Sequence, residues 1–205
     1  MSLITSAAPC MAAALALLML SACATTPAPR SMLPPEAQQE LLRELSDFSL
    51  NGRVGIRAGD QGGDSTSLVW QQVGDQTTVR LFGRLGMGSL TVSWRPGALR
   101  LTGSRGEDFV DAEAEQVLVE QLGFMPPFEA LRYWVLGLPA PGELPTQQAV
   151  ADSGRISELV QQRWHIRYER WMSVAVGESG VELPQLLTVT RDDLRLRVVV
   201  EKWKL

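Results

Sequence analysis

Few residues of this chain have a type and spacing that could do chemistry, and the clearest is Cys23 within LSACA, Leu20 to Ala24. An aliphatic residue, two small residues and a cysteine make a lipobox, the motif at which a bacterial lipoprotein precursor is acylated and cut. The small residues fit the peptidase cleft, and the Cys23 thiol takes a diacylglyceryl group before cleavage leaves it N-terminal. The flanks agree. Met11 to Leu20 is a ten-residue apolar run, and no charged side chain precedes Arg30. That length suits a secretory core and is too short to span a bilayer. Such cores usually follow a Lys or Arg, which is missing here. Residues 1–22 are expected to leave as a signal peptide and take Cys10 with them, so Cys23 has no cysteine to pair with.

Other chemistry is scarce. The single histidine, His165 in QRWHIRYE, sits between Trp164 and Ile166 and is expected on the outer face of a strand. No GxSxG elbow supplies a nucleophile for it, and His and Cys are too few for a metal site. The glycines of GRLGMG are spaced GxxGxG, which is not a dinucleotide fingerprint. Asp192-Asp193 and Glu107-Asp108 fall in expected turns, where carboxylates are solvated. No catalytic residue, metal site or cofactor is therefore expected, and the chain does not read as an enzyme.

Charge and length narrow the class. With 19 basic and 23 acidic side chains the net charge is −4, which gives no case for nucleic acid. Removing 22 residues from 205 leaves 183, enough for one domain with a core. Ala24 to Pro35, ATTPAPRSMLPP, reads as a Pro-rich tether able to stretch to roughly 35–40 Å at about 3.1 Å per residue. One buried sixteen-carbon chain contributes on the order of 12 kcal/mol, so an acylated Cys23 holds the protein to a membrane almost permanently. Ala24, rather than Asp, after the cysteine points to the outer membrane. The expected organisation is signal peptide 1–22, lipidated cysteine and tether 23–35, and a domain over 36–205.

The elements follow from periodicity. PEAQQELLRELSDF starts with Pro35 at a helix N1 position and places Ala37, Leu41, Leu45 and Phe48 on one stripe. The period then becomes two in FSLNGRVGIR, and the alternation passes straight through Asn51-Gly52, so that pair is not read as a hairpin turn. STSLVWQQ, TTVRLFG, SLTVSW and ALRLTG continue an antiparallel meander with one apolar face, turning at Gly74-Asp75 and Pro96-Gly97. Two helices interrupt it, Asp111 to Leu122 stopping at Gly123, and a second from Pro127 to about Gly137. RISELVQ, WHIRYERW, LPQLLTVT and LRLRVVVEKW resume the strands. The fold class is mainly β with inserted helices; patterning alone leaves open whether the sheet closes. FGRLGMGSL, Phe82 to Leu90, is odd in this setting, because its glycine-rich tip carries apolar Leu85 and Met87 beside Arg84.

Several of these pieces together resemble the LolB family of outer-membrane lipoprotein receptors: the lipobox, Phe48 to Arg53, SLVWQQVGD, RLGMGSLTV, LRYWVLGLPAPG and the closing LRLRVVVEKW. The resemblance implies an antiparallel incomplete β-barrel of the LolA/LolB kind, covered by helices and enclosing an apolar cavity. It also implies a monomer facing the periplasm that accepts lipoproteins from the loaded carrier LolA. Their acyl chains would be sheltered in the cavity and delivered into outer-membrane phospholipid. The inward residues Val54, Ile56, Leu68, Trp70, Val79, Leu81, Leu90, Val92 and Trp94 are expected to line that cavity, closed by Phe128, Leu131 and Trp134. By the same resemblance Leu85 occupies the position of a protruding residue that touches the membrane, with Met87 beside it. Arg84 stands where the family more often has proline, and is expected to meet lipid phosphate. The residues alone leave two other readings open, a lipid-anchored binder of small hydrophobic ligands and a structural envelope lipoprotein.

Overall fold

The computed structural model of the protein describes residues 31–59, 64–83 and 88–205. Cys23, Arg84, Leu85 and Met87 lie outside the described residues. The chain begins with β1 (Ser31–Met32), α1 (Pro35–Glu44), β2 (Asp47–Ala58), β3 (Asp64–Val73) and β4 (Gln76–Phe82). It continues through β5 (Ser89–Arg95), β6 (Ala98–Gly103), β7 (Asp108–Val110), α2 (Asp111–Leu122) and α3 (Phe128–Trp134). It closes with β8 (Gln147–Val150), β9 (Ile156–Gln161), β10 (Trp164–Val176), β11 (Ser179–Arg191) and β12 (Leu194–Lys204).

These strands form one sheet in the order β7-β6-β5-β4-β3-β2-β12-β11-β10-β9-β8, with β1 joined to β11. Every pairing is antiparallel except β1 with β11. The edges β7 and β8 do not pair with each other, so the barrel is incomplete. Alternation sets the faces: in β4 the pattern eBiBeBe buries Thr77, Val79 and Leu81 and exposes Arg80 and Phe82. The helices cover the buried face. In α2, Ala114, Leu118 and Leu122 recur at helical spacing and are all buried, and the helix stops at Gly123, whose φ of 81° a side chain would resist.

Asn51-Gly52 lies inside β2, as the unbroken alternation requires. The glycine has a positional reason. Gly52 faces the bulge of β12 between Val200 and Lys202, and a Cβ there would overlap the backbone carbonyl of Val199. Gly52→Ala should therefore lower unfolding stability by about 2–3 kcal/mol in urea titrations, because backbone cannot move aside as a side chain can. Gly55→Ala, where the missing Cβ would meet only the Arg197 carbonyl oxygen at 4.0 Å, serves as the control and should change stability by about 0.5 kcal/mol or less. Equal losses at both sites would refute this account.

The expected tether is shorter than its composition suggests. Ser31 and Met32 pair with Ser179 and Gly180, and the Leu33 N–H donates to the Gly180 carbonyl at 3.0 Å. Gln38 of α1 then locks the segment: its Nε2 donates to Leu33 O at 2.7 Å and its Oε1 accepts from Glu182 N at 2.8 Å. This anchorage lies at the start of β11. The end of β11, Arg191, pairs with Leu194 beside Ala58, at the opposite end of the sheet.

Candidate functional site

Between the buried face of the sheet and the helices lies a cavity of about 80 Å³. β2 supplies Val54 and Ile56, β3 Leu68 and Trp70, β4 Val79 and Leu81, and β5 Val92. Phe128 and Leu131 of α3 close it. These are nine of the residues expected there from sequence. The wall also contains residues not named for it from the sequence: Leu187 and Val189 of β11, Leu196 and Val198 of β12, Leu118 and Leu122 of α2, and Phe124, Pro126 and Val135 around α3. Register explains the β12 set, because Val198 pairs with both Val54 and Leu187, and Leu196 with Ile56 and Val189. One face therefore runs unbroken from β5 to β11.

Three expected residues stand outside this wall. Leu90, 2 % exposed, is packed core at the start of β5. Trp94, at the other end of β5, stacks on Phe128 at 6.1 Å between ring centroids and so backs the wall. Trp134 is fully buried, and its indole N–H donates to Gln161 Oε1 at 2.9 Å. A polar atom so engaged belongs to the frame, where its hydrogen bond is satisfied.

That frame centres on Gln161, a buried side chain at the end of β9. Its Oε1 also accepts from Ala140 N at 2.9 Å, while its Nε2 donates to Ala140 O at 2.8 Å and Glu143 O at 2.5 Å. Tyr168 donates its hydroxyl to Trp134 O at 3.0 Å, and burial pushes the phenol well above its usual pKa, so it remains a neutral donor. Together they fix LRYWVLGLPAPG against β9 and β10. No signal in the sequence marks a lone glutamine for this task.

The cavity has no ionisable group in its wall, and its side chains carry one polar atom, the Trp70 indole nitrogen, which is buried without a hydrogen-bond partner. His165 is outside it, on the outer face, 3.6 Å from Glu158. No cluster of His, Cys, Asp or Glu able to hold a metal occurs among the described residues. Nor is any helix among them long and apolar enough to cross a membrane. Such a lining can shelter hydrocarbon by excluding water.

The fold is an open antiparallel β-sheet roofed by helices over an apolar receptacle. The comparisons place it more closely. The family model for outer membrane lipoprotein LolB matches residues 46–203. The outer-membrane lipoprotein LolB of Alkalilimnicola ehrlichii is 35% identical over 94% of this chain and 95% of its own. That of Cellvibrio japonicus is 33% identical over 96% of both. Among solved structures, a LolA superfamily protein from Nitrosomonas europaea superposes with a TM-score of 0.48 at 11% identity, covering 84% of this chain and 94% of that one. The chain belongs to the LolB family, and with it to lipoprotein sorting at the outer membrane.

Proposed function

We propose that the protein is a non-catalytic receptor, lipid-anchored through Cys23 and facing the periplasm, that takes lipoproteins from the carrier LolA and inserts them into the outer membrane. The observation that carries this is the apolar cavity, free of ionisable groups, between sheet and helices. An acyl chain crossing water unshielded exposes hydrocarbon worth about 0.8 kcal/mol per methylene, so transfer needs such a refuge at every stage. At about 80 Å³ the space is smaller than the ~150 Å³ of an engineered cavity that admits benzene. Loading must therefore part the walls. The α2 side is the one to yield: α2 meets the sheet through side chains, whereas α3 is tied at Trp134 by Gln161 and Tyr168 and the strands are bound to one another by backbone hydrogen bonds. With no nucleotide motif, the passage runs downhill from the weaker to the tighter refuge and then to the bilayer.

Mixing the domain with lipoprotein-loaded LolA tests the reading directly. Cargo should move to the domain, and cargo that stays on the carrier would refute it. Leu85 is assigned the membrane-touching role at the hairpin, flanked by Arg84 and Met87. A leucine buried in lipid contributes only about 1.5–3 kcal/mol, far less than the anchor, so its task is to aim the cavity and disturb the bilayer locally. Leu85→Glu should leave folding and uptake from LolA unchanged and slow delivery to liposomes at least tenfold. Delivery at the unsubstituted rate would remove the tip from the mechanism.

A further inference from the structure

The outer face of the sheet carries a cluster that acyl-chain sheltering does not use. Arg57 of β2 and Arg195 of β12 are direct cross-strand partners, both exposed. Arg197 lies two residues further along β12 on the same face and pairs with Gly55. Its partner on β2 is thus a glycine, which places no side chain opposite Arg197. Like charges placed opposite one another destabilise a sheet. Three other arginines on the strands are neutralised, Arg53 by Glu201 at 3.3 Å, Arg100 by Asp108 at 2.5 Å and Arg167 by Glu158 at 3.1 Å. Exposed Arg80 stands alone on β4, so what sets this group apart is that its arginines are neighbours. Arg57, Arg195 and Arg197 have no acidic partner among the described residues. The chain as a whole is acidic, with net charge −4, so the cluster does not reflect a basic composition.

Its position names the occupant. Ser67 of β3 pairs with both Arg53 of β2 and Phe82 of β4, so β2 and β4 run the same way on either side of β3. Arg57 and Arg195 thus lie at the end of the sheet from which the β4–β5 hairpin leaves. Phe82, a large apolar side chain left 45 % exposed, marks the base of that hairpin. A guanidinium fork suits phosphate oxygens, and three uncompensated forks suit a layer of them. We infer that Arg57, Arg195 and Arg197 form a binding surface for the phosphates of anionic membrane phospholipid. This rests on the delivery role proposed above and adds to it a headgroup contact that orients the domain on the bilayer.

The test uses residues 24–205, which contain every described element, without an acyl anchor to mask weak binding. Vesicles of equal phosphatidylglycerol and phosphatidylcholine should bind this chain, and phosphatidylcholine alone should bind it poorly. Each of Arg57→Gln, Arg195→Gln and Arg197→Gln should weaken anionic-vesicle binding about fivefold, and high salt should abolish it. Arg195→Glu is the decisive variant. It should lose binding by tens of fold while its thermal midpoint holds or rises, because the new carboxylate faces Arg57 across the ladder. Vesicle binding unchanged in Arg195→Glu and in the triple glutamine variant would overturn the inference. So would variants that keep vesicle binding and lose uptake from LolA, since the surface would then serve an acidic protein. Cargo acceptance by the unsubstituted chain is scored separately, so the receptor role and the phosphate surface can fail independently.

Discussion

Val198→Phe should abolish cargo acceptance while leaving the protein folded. Val198 sits mid-wall, paired with Val54 on one side and Leu187 on the other, and all three line the cavity. A phenyl ring there has empty space to enter, so the usual overpacking cost of 1–3 kcal/mol should fall at the lower end, about 1 kcal/mol. The occupant loses far more. Denying room to four methylenes removes about 3 kcal/mol of burial, roughly a hundredfold in affinity. Transfer of a lipoprotein from LolA, or uptake of a fluorescent fatty acid, reads the loss, and a urea titration checks the fold. A stable variant that takes cargo as readily as the unsubstituted chain would mean the acyl chains bind elsewhere. Leu90→Phe alters a packed position off the wall and should instead cost stability with little selective effect on affinity.

Gln161→Leu should produce the largest stability loss of any single substitution considered. The side chain makes four hydrogen bonds, to the Trp134 indole, both backbone groups of Ala140 and the Glu143 carbonyl. Leucine fits the volume but leaves those buried groups without their hydrogen-bond partner. Each orphaned polar group costs about 1–3 kcal/mol. With partial relaxation the total should reach about 3–5 kcal/mol, or a fall of roughly 10 °C in Tm for a domain of this size. The same change frees the segment after α3, so it should also raise hydrogen exchange at Ala140 and Leu138. A loss below about 1 kcal/mol would show that this network does not hold the frame.

Most strands were legible because each buries one face, and alternation reports that face directly. β2 is the test, since Asn51-Gly52 offered a false turn and the pattern overrode it. β8 was missed: Gln147 to Val150 is exposed throughout and has no alternation to show. The cavity was half-legible for a related reason. Periodicity states which way Leu90 and Val92 point, but both point inward, and only packing around each decides which one borders empty space. Residues contributed by β11, β12 and α2 depend on register and on where a helix docks, neither of which is local information. The basic residues followed the same rule. Arg163, Arg167 and Arg170 lie close together in the chain, and Arg167 is neutralised by Glu158. The uncompensated group is assembled across β2 and β12, far apart in the chain.

The docking of Ser31–Met32 on the start of β11 constrains how the domain lies against its membrane. From Cys23 to Ser31 is eight residues, a reach of at most ~29 Å when fully drawn out. The pairing ladders put Phe82, at the base of the β4–β5 hairpin, level with Leu186, seven residues from Ser179 and so about 23 Å away along the strands. With Cys23 acylated as proposed and the strands upright, the leash reaches a membrane at the Phe82 end of the sheet only when it is nearly fully drawn out. Inclining the strands to the bilayer, or releasing the Ser31–Met32 rungs, would slacken that leash at the moment of delivery.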